Sequence, residues 1–375
     1  MNEEKHLSRK VKMKRCDVGL VIVTMILLTL GLIMVLSASA PSAFRLEGDS
    51  YFYFKKQALF AIIGVIIMFL VSRVDYKIYS SKWIANGLMG IALFLLILVL
   101  IPGVGITIND ATRWINIGIQ FQPSEIMKIA LIIFMAYRIS KDPKKLQNFW
   151  SGFMPYIGLI GIIAVLLLLE PHMSATVIMV VIVGTILLVG GVKLWHIGIF
   201  IPPALIAGFV LSKVSEYRWK RIVIFTDPWQ DPLGDGWQII QSLYAIGSGG
   251  FFGVGLGQST QKYMYIPEPH NDFIFSIWAE EMGLFGVLIV MVLFAIFIWR
   301  GIMISIKAPD LFGSLVAIGI TVMIGIQAVF SIAVVSSSMP VTGIPLPFFS
   351  YGGTALVILL ACVGILLNIS RKAKM

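Results

Sequence analysis

The chain has 375 residues, of which 58% are hydrophobic and only 13% are charged, whereas soluble globular domains carry roughly 45–50% apolar and about 25% charged residues. This composition excludes a soluble globular protein, a disordered protein and a disulfide-stabilised scaffold. The net charge is +10, but the basic residues lie in short segments between apolar runs, where membrane topology explains them. We therefore expect a protein embedded in the lipid bilayer, without a nucleic-acid partner.

Apolar runs follow one another along the whole chain, and each is long enough to cross a hydrocarbon core of about 30 Å. Backbone groups inside lipid must be hydrogen-bonded within the protein, so these runs are predicted to be helices. The predicted fold class is an all-α polytopic membrane protein, with residues 1–375 forming a single domain. The ten predicted transmembrane helices are residues 18–39, 56–72, 83–101, 122–139, 153–169, 174–191, 195–213, 272–299, 312–335 and 351–369.

The distribution of lysine and arginine predicts the orientation of these spans. If the N-terminus is cytoplasmic, most of the 29 basic residues fall on the inside, as the positive-inside rule requires. Residues 1–17 then form a basic cytoplasmic N-terminus, and residues 370–375 form a cytoplasmic tail. Both termini are thus predicted to lie inside.

The largest polar segment, residues 214–271, falls on the outer side between spans seven and eight. Basic residues cluster where it leaves the membrane, against the inside rule. A membrane protein that concentrates charge, aromatic residues and glycine in one outer loop is expected to work there. The clustered basic residues are Lys213, Arg218, Lys220 and Arg221.

Asp272 is the candidate catalytic residue, because the run Pro267–Asp272 leads directly into an apolar helix at the outer interface. One interpretation is that Asn271 or Asp272 caps this helix. The other is that Asp272 acts as a base beside the cationic residues. A helix N-terminus lowers the pKa of a carboxylate, so we expect an ionised base or a metal ligand.

Candidate substrate-binding residues surround this position in the sequence. Arg218 and Arg221 fit a phosphate clamp, since arginine binds phosphate oxygens through two parallel hydrogen bonds; the alternative is contact with the lipid interface. Lys262 and Glu268 lie in the same outer segment and are further candidates.

Glu125 and Lys128 stand three residues apart near the start of span four, where they can pair on one helix face. They form either a structural ion pair or, with Asp110, Arg113 and Trp114, the polar wall of an outward-facing cavity. Arg113 is therefore also a candidate for substrate binding.

Other segments carry weaker signals. The glycines between residues 247 and 257 favour a compact turn packed against the membrane face, and one of Glu280 and Glu281 is expected to pair with a cation of a neighbouring helix. His172 is either a hydrogen-bonded structural residue or a proton carrier. Residues 340–353 are rich in proline yet apolar, which is typical of a re-entrant or interfacial segment.

Five blocks of sequence, in this order, resemble the SEDS family of bacterial membrane proteins, whose members include RodA, FtsW and SpoVE. The resemblance covers nearly the whole chain, and the stretch QKYMYIPEPHNDFIF is more similar to the FtsW and SpoVE branch than to RodA. The blocks are FQPSEIMKIA, the short EP linker, FTDPWQDPLGDGWQIIQS, GVGLGQSTQKYMYIPEPHNDFIFSIWAEEMG and PVTGIPLPFFSYGG.

The resemblance implies a peptidoglycan glycosyltransferase that polymerises lipid II on the outer membrane face during division or sporulation, with a class B penicillin-binding protein as partner. It places the family's essential aspartate at Asp272, its important Glu and Lys at Glu125 and Lys128, and its loop arginines at Arg218 and Arg221. No cofactor is implied with certainty; a divalent cation, Mg²⁺ or Mn²⁺, is a candidate for stabilising the leaving pyrophosphate.

Some positions depart from the family pattern, and two other functions stay open. His172 and Ser174 stand where members often have Asp and Gly, and Ser331 and Ser337 where many have Asn and Gly. The alternatives are a lipid II flippase, which would need a polar path across the bilayer, and a non-catalytic division scaffold.

Overall fold

The computed structural model describes residues 16–108, 111–214 and 216–373, so Asp110 lies outside the described part. Helices dominate the structure, and ten of them overlap the ten predicted spans. Within these ranges the helices are α1 Val18–Glu47, α2 Phe52–Val71, α3 Lys82–Val99, α4 Pro123–Lys141, α5 Met154–Leu169, α6 Met173–Val189, α7 Leu194–Val214, α8 Glu216–Thr226, α9 Trp237–Ser248, α10 Ile274–Ile306, α11 Leu311–Val335 and α12 Gly353–Lys372.

Eight helical segments of the described chain are long and apolar enough to cross a membrane. Of the remaining predicted spans, α4 carries charged residues near both ends, and α6 is apolar but shorter, at 17 residues. A π-helical turn, Phe149–Phe153, extends α5 at its start. The long helix α11 lies in the centre, packed against α4, α6 and α10.

The prediction of an all-α protein missed a small antiparallel sheet between α3 and α4. Its strands are β1 Gly105–Ile108, β2 Ala111–Asn116 and β3 Gln120–Phe121, in the order β1-β2-β3. Alternating Ile and Thr residues favour strands here, but such short strands are hidden in a search for long apolar runs. The sheet carries Arg113, so it contributes to the candidate site.

Helix α10 is broken at Gly283, where φ is 62° and ψ is −168°. The glycine segment, residues 249–257, docks into this break. Val254 and Gly255 donate main-chain hydrogen bonds to the carbonyls of Glu280 and Glu281, both at 3.0 Å. In return, the main-chain nitrogens of residues 284 and 285 donate to the carbonyls of residues 250 and 251, at 3.0 and 3.1 Å.

Glycine is required where the two chains meet, because a Cβ on Gly283 would lie 2.3 Å from the main-chain nitrogen of Gly253. The prediction of a compact glycine turn is thus confirmed, but the turn lies deeper than expected. Gly283 is nine residues into α10, about 14 Å along its axis. Phe251 and Phe252 are exposed beside it and present an apolar surface.

The segment between α11 and α12 is non-helical chain that is mostly buried over residues 344–350, an arrangement that fits the predicted re-entrant or interfacial segment. Leu346, Phe348 and Phe349 are almost fully buried. Gly31 of α1 allows a close approach, since a Cβ there would lie 2.0 Å from the Phe348 carbonyl oxygen. Irregular backbone can lie among membrane helices only when protein surrounds it.

Candidate functional site

Asp272 lies immediately before α10 and is partly buried. Helix α10 begins at Ile274, with Phe273 at its N-cap position and without a side-chain hydrogen bond to its first turn, so the capping interpretation of Asp272 is wrong. The neighbouring Asn271 donates instead to Glu268, with Nδ2 2.7 Å from Oε2. Asp272 is therefore available to interact with groups from other elements.

The pKa of Asp272 is raised to about 6, chiefly by burial and then by the negative charge of Glu268, against the opposing effect of Arg221 and Arg113. The expectation of a lowered pKa was wrong, because the cost of burying the carboxylate outweighs the helix N-terminus. At neutral pH Asp272 is still mostly ionised. His270 is a poorer base, since burial lowers its pKa to about 4.

Two arginines from different elements lie near enough to Asp272 for their positive charges to lower its pKa. Arg221, on α8, donates from Nη1 to the carbonyl oxygen of Val341 at 2.7 Å. Arg113, on β2, donates to the carbonyl of Pro171 and to that of Glu170 at 3.4 Å. The structure thus brings together three of the predicted site residues.

The segment after α11 forms another wall of the site. A Cβ on Gly343 would lie 3.3 Å from Oδ2 of Asp272, and Gly343 has a φ of +66°. Ser174 Oγ donates to the carbonyl of Thr342 and fixes this segment to α6. The sequence singled out the segment, but no spacing rule could place Gly343 beside a carboxylate 71 positions earlier.

A cavity of about 540 Å³ extends from Arg221 and is lined by charges of both signs, including Lys220, Glu216 and Asp235, together with Gln238 and two apolar residues, a volume within the range of small-ligand sites. Lys220 belongs to this lining and pairs with the exposed Glu216 at 3.5 Å. Arg218 precedes Arg221 by three residues on α8, and its side chain is outside the described part. The cationic group thus borders a space that can admit a ligand.

Glu125 and Lys128 form an ion pair of 2.8 Å in the first turns of α4, as predicted from their spacing. Lys128 is only 2% exposed, which makes it a buried charge with a single acidic partner among the described residues. Burial lowers the pKa of His172 well below the usual value, and the positive charges of Arg113 and Lys128 lower it further. His172 is therefore neutral, which does not suit a proton carrier.

Behind Arg113, several buried polar atoms lack a partner within the described chain. They include both carboxyl oxygens of Glu170 and Nδ1 of His172. Burial raises the pKa of Glu170 to about 8, so it is protonated at neutral pH. Polar groups of this kind are normally satisfied by water or ligand, so this wall is suited to a hydrated space.

Lys262 lies away from this wall, in an internal network. Its Nζ is 2.9 Å from Glu281 Oε1 and donates to the Gly257 carbonyl at 2.6 Å and to Ser37 Oγ at 3.1 Å. Glu281 thus pairs with a cation, as expected for one of the two glutamates, but the cation comes from the loop rather than from a helix. In the structure, Lys262 therefore helps to hold the loop against α10 and α1.

Glu280 completes the network without a cation. It accepts hydrogen bonds from the main-chain nitrogen and the hydroxyl of Thr260, at 2.9 and 2.8 Å, and from the hydroxyl of Ser259. A buried carboxylate is tolerated when several donors surround it. Both glutamates therefore fasten residues 257–262 to α10.

The two remaining departures from the family pattern have structural consequences. Ser337 adopts a φ of +53° just after α11, a conformation that suits glycine better than serine. Ser331 is buried in α11, and its hydroxyl has no partner among the described residues.

Within the described residues, no group of three or more His, Cys, Asp or Glu side chains is placed to hold a metal ion. Glu268 and Asp272 influence each other electrostatically, but a third ligand from the described chain does not join them. The described residues thus do not form a complete protein site for Mg²⁺ or Mn²⁺.

The sequence profile of the cell cycle proteins FtsW, RodA and SpoVE matches residues 18–375. The chain belongs to this family. It is 48% identical over 360 residues to stage V sporulation protein E of Bacillus subtilis (strain 168), covering 96% of this chain and 98% of that protein. It is 42% identical over 362 residues to the probable peptidoglycan glycosyltransferase FtsW of Geobacter sp. (strain M18), covering 96% and 97%.

Solved structures of the family share the fold. A chain from a study of the structural coordination of polymerization and crosslinking by a peptidoglycan synthase complex matches with a TM-score of 0.78 and 31% identity, over 95% of this chain and 98% of that chain. RodA of Thermus thermophilus matches with a TM-score of 0.68 and 27% identity, over 96% and 98%. Together with its apolar helices, this makes the chain a multi-pass membrane protein.

Replacing Lys262 with Met is expected to destabilise the protein, because it leaves Glu281 buried without its cation. Breaking a buried pair in this way typically costs about 3–5 kcal/mol. Thermal unfolding of the purified protein in detergent measures the loss. In the double variant Lys262→Met/Glu281→Gln, much of the stability should return. A Lys262→Met protein that keeps its stability but loses activity would instead place Lys262 among the substrate-binding residues.

Proposed function

We propose that this protein is a peptidoglycan glycosyltransferase that polymerises lipid II on the outer face of the cytoplasmic membrane, in division or in sporulation. The observation that carries the proposal is the position of Asp272, a partly buried carboxylate flanked by Arg221 and Arg113. The names of the FtsW relatives support the reaction class, and that of the sporulation relative supports a septal role. The flippase and scaffold alternatives do not explain this arrangement.

In the proposed reaction, a sugar hydroxyl of one lipid-linked unit attacks the anomeric carbon of another. A hydroxyl is a weak nucleophile until a positioned base accepts its proton as the new bond forms. Asp272 is mostly ionised at neutral pH, and a pKa near 6 leaves it basic enough to take the proton. The glycosidic bond forms at the anomeric carbon as its bond to the pyrophosphate oxygen breaks.

The departing undecaprenyl pyrophosphate carries the negative charge that develops in this step. Fixed cations stabilise such charge without having to reorganise. Arg221 and Arg113 are the best-placed cations, since both already act on Asp272. Lys220, in the lining of the adjoining cavity, extends the cationic surface along which the pyrophosphate can bind, and Arg218 stays a candidate from the sequence for the same role.

Glu125 and Lys128 support the site from α4. They form an ion pair there, and we assign the pair to shaping the polar wall that binds the sugars. Glu268 is exposed beside Asp272 and tunes its pKa. The proposed partner is a class B penicillin-binding protein, which is supported by the similarity to a chain of a peptidoglycan synthase complex.

Asp272→Asn removes the base but keeps the size of the side chain. We expect lipid II polymerisation by the purified protein, assayed with its partner, to fall by roughly 10²-fold or more, the scale of general-base loss. Membrane insertion and thermal stability should not change. Asp49→Asn, which alters a partly exposed carboxylate paired with Lys55, is the control and should keep activity. Near wild-type polymerisation by Asp272→Asn would refute the assignment.

The polymerisation rate should depend on pH through Asp272. Below about pH 6 the carboxyl group becomes protonated, so the rate should fall as the pH decreases. Glu268→Gln removes a negative charge that raises this pKa, so the midpoint should move to lower pH. Glu268→Asp keeps the charge and should leave the midpoint close to that of the wild type. A pH–rate profile checks this, and an unmoved or raised midpoint in Glu268→Gln would argue against Asp272 as the titrating base.

The proposed orientation can be checked by labelling single cysteines after Cys16 and Cys362 have been replaced by serine and alanine. Leu233 is 85% exposed in the segment before α9, and Lys144 is exposed between α4 and α5. In intact spheroplasts, an impermeant maleimide should react with Leu233→Cys and should reach Lys144→Cys only after permeabilisation. The reverse pattern would place the Asp272 site in the cytoplasm.

A further inference from the structure

A second cavity, of about 650 Å³, lies at the other end of the bundle, between the end of α4 and the start of α5. Arg138, Lys141 and Lys145 line one part of it. Arg138 is 13 residues beyond Glu125 on α4, which corresponds to about 20 Å along the helix axis. The cavity is therefore separate from the Asp272 site.

The charge in this cavity is strongly positive. Among the described residues, none of the three cations has a carboxylate within salt-bridge distance. Arg138 interacts with the Tyr156 hydroxyl, and Lys141 Nζ lies 5.4 Å from the centre of the Tyr137 ring. The single acidic residue in the lining, Asp142, accepts a hydrogen bond from the main-chain nitrogen of Lys145. The cations thus converge on a space that suits an anion.

The rest of the cavity is apolar and open along α5. Leu159 and Ile162 belong to its lining, and Ile162 is 58% exposed. Gly158 also lines the cavity, and a Cβ placed on it would meet no atom within 4 Å. The surface therefore forms a groove that runs from the cations along an apolar helix face.

Exposed tryptophans indicate where the lipid headgroups lie. Tryptophan is enriched at membrane–water interfaces. Helices α3, α5 and α7 begin at the end of the bundle where α4 and α10 finish, and exposed tryptophans lie near the starts of α3, α5 and α7 and in the last part of α10. They are Trp83, Trp150, Trp195 and Trp299. The three cations of the groove are consequently at headgroup level, and its apolar part is at the level of acyl chains.

We propose that this groove binds an anionic glycerophospholipid. The headgroup phosphate is held by Arg138, Lys141 and Lys145, and one acyl chain lies along α5 past Gly158. Basic pockets between membrane helices bind anionic headgroups in this way. Basic residues that merely set topology would not have to converge, and Lys144 illustrates this, because it is exposed in the same segment but does not line the groove.

The test measures lipid retention by native mass spectrometry of the full chain in detergent, with phosphatidylglycerol and phosphatidylcholine of matched acyl chains. The wild type should retain phosphatidylglycerol at least about tenfold more strongly, since each basic residue adds to the attraction. The triple variant Arg138→Ala/Lys141→Ala/Lys145→Ala should lose this preference. Lys144→Ala removes one lysine outside the groove and should keep it.

A second variant covers the case in which the triple variant does not fold. Gly158→Leu fills the apolar part of the groove and leaves every charge in place, so it should also reduce phosphatidylglycerol retention at an unchanged melting temperature. Equal retention of both lipids by the wild type, or full preference in a folded Gly158→Leu protein, would overturn the proposal. So would retention of an undecaprenyl pyrophosphate lipid that phosphatidylglycerol does not displace.

Discussion

The docking of the glycine segment into the break of α10 is the constraint on which the Asp272 site depends. A helix that is interrupted at membrane depth exposes main-chain groups that lipid cannot satisfy. Four main-chain hydrogen bonds between residues 250–255 and residues 280–285 of α10 satisfy these groups. The contact requires glycine on both sides, because a Cβ on Gly253 would lie 2.2 Å from the Glu281 carbonyl oxygen. The loop therefore has one position, and the chain that leads from it to Asp272 begins at a fixed point.

Glu280, Glu281 and Lys262 secure the same junction with side chains. Burying three charges is expensive, and replacing such groups with apolar ones is often neutral for stability. In this structure the charges fasten residues 259–262 to Glu280 and Glu281 through several hydrogen bonds and one ion pair. Only nine residues separate this fastened segment, residues 259–262, from Asp272. Its fixed position therefore limits where Asp272 can lie. The network thus positions the carboxylate through the backbone, from about 12 Å deeper along α10.

The sequence predicted features that depend on local pattern, and failed where distant segments meet. All ten apolar runs are helical because length and hydropathy determine a membrane helix without reference to its neighbours. The pair Glu125–Lys128 was predictable for the same reason, since three residues along a helix always bring side chains together. The break at Gly283 was not, because its hydrogen bonds come from a segment some 30 residues earlier, and an isolated glycine in an apolar run looks like part of a continuous helix.

The direction in which the pKa of Asp272 shifts was also not predictable from local sequence. The sequence placed Asp272 at a helix N-terminus, and that position alone lowers the pKa. The opposite shift arises from burial, to which Gly343 and the chain around it contribute, and from Glu268. The two arginines moderate it from β2 and α8, where main-chain carbonyls of the segments around Pro171 and Val341 hold them. A carbonyl fixes the position of a guanidinium group without removing its charge. The fold therefore holds a carboxylate whose pKa is about 6 beside two positive charges. Both are in place before a substrate binds, as electrostatic preorganisation requires.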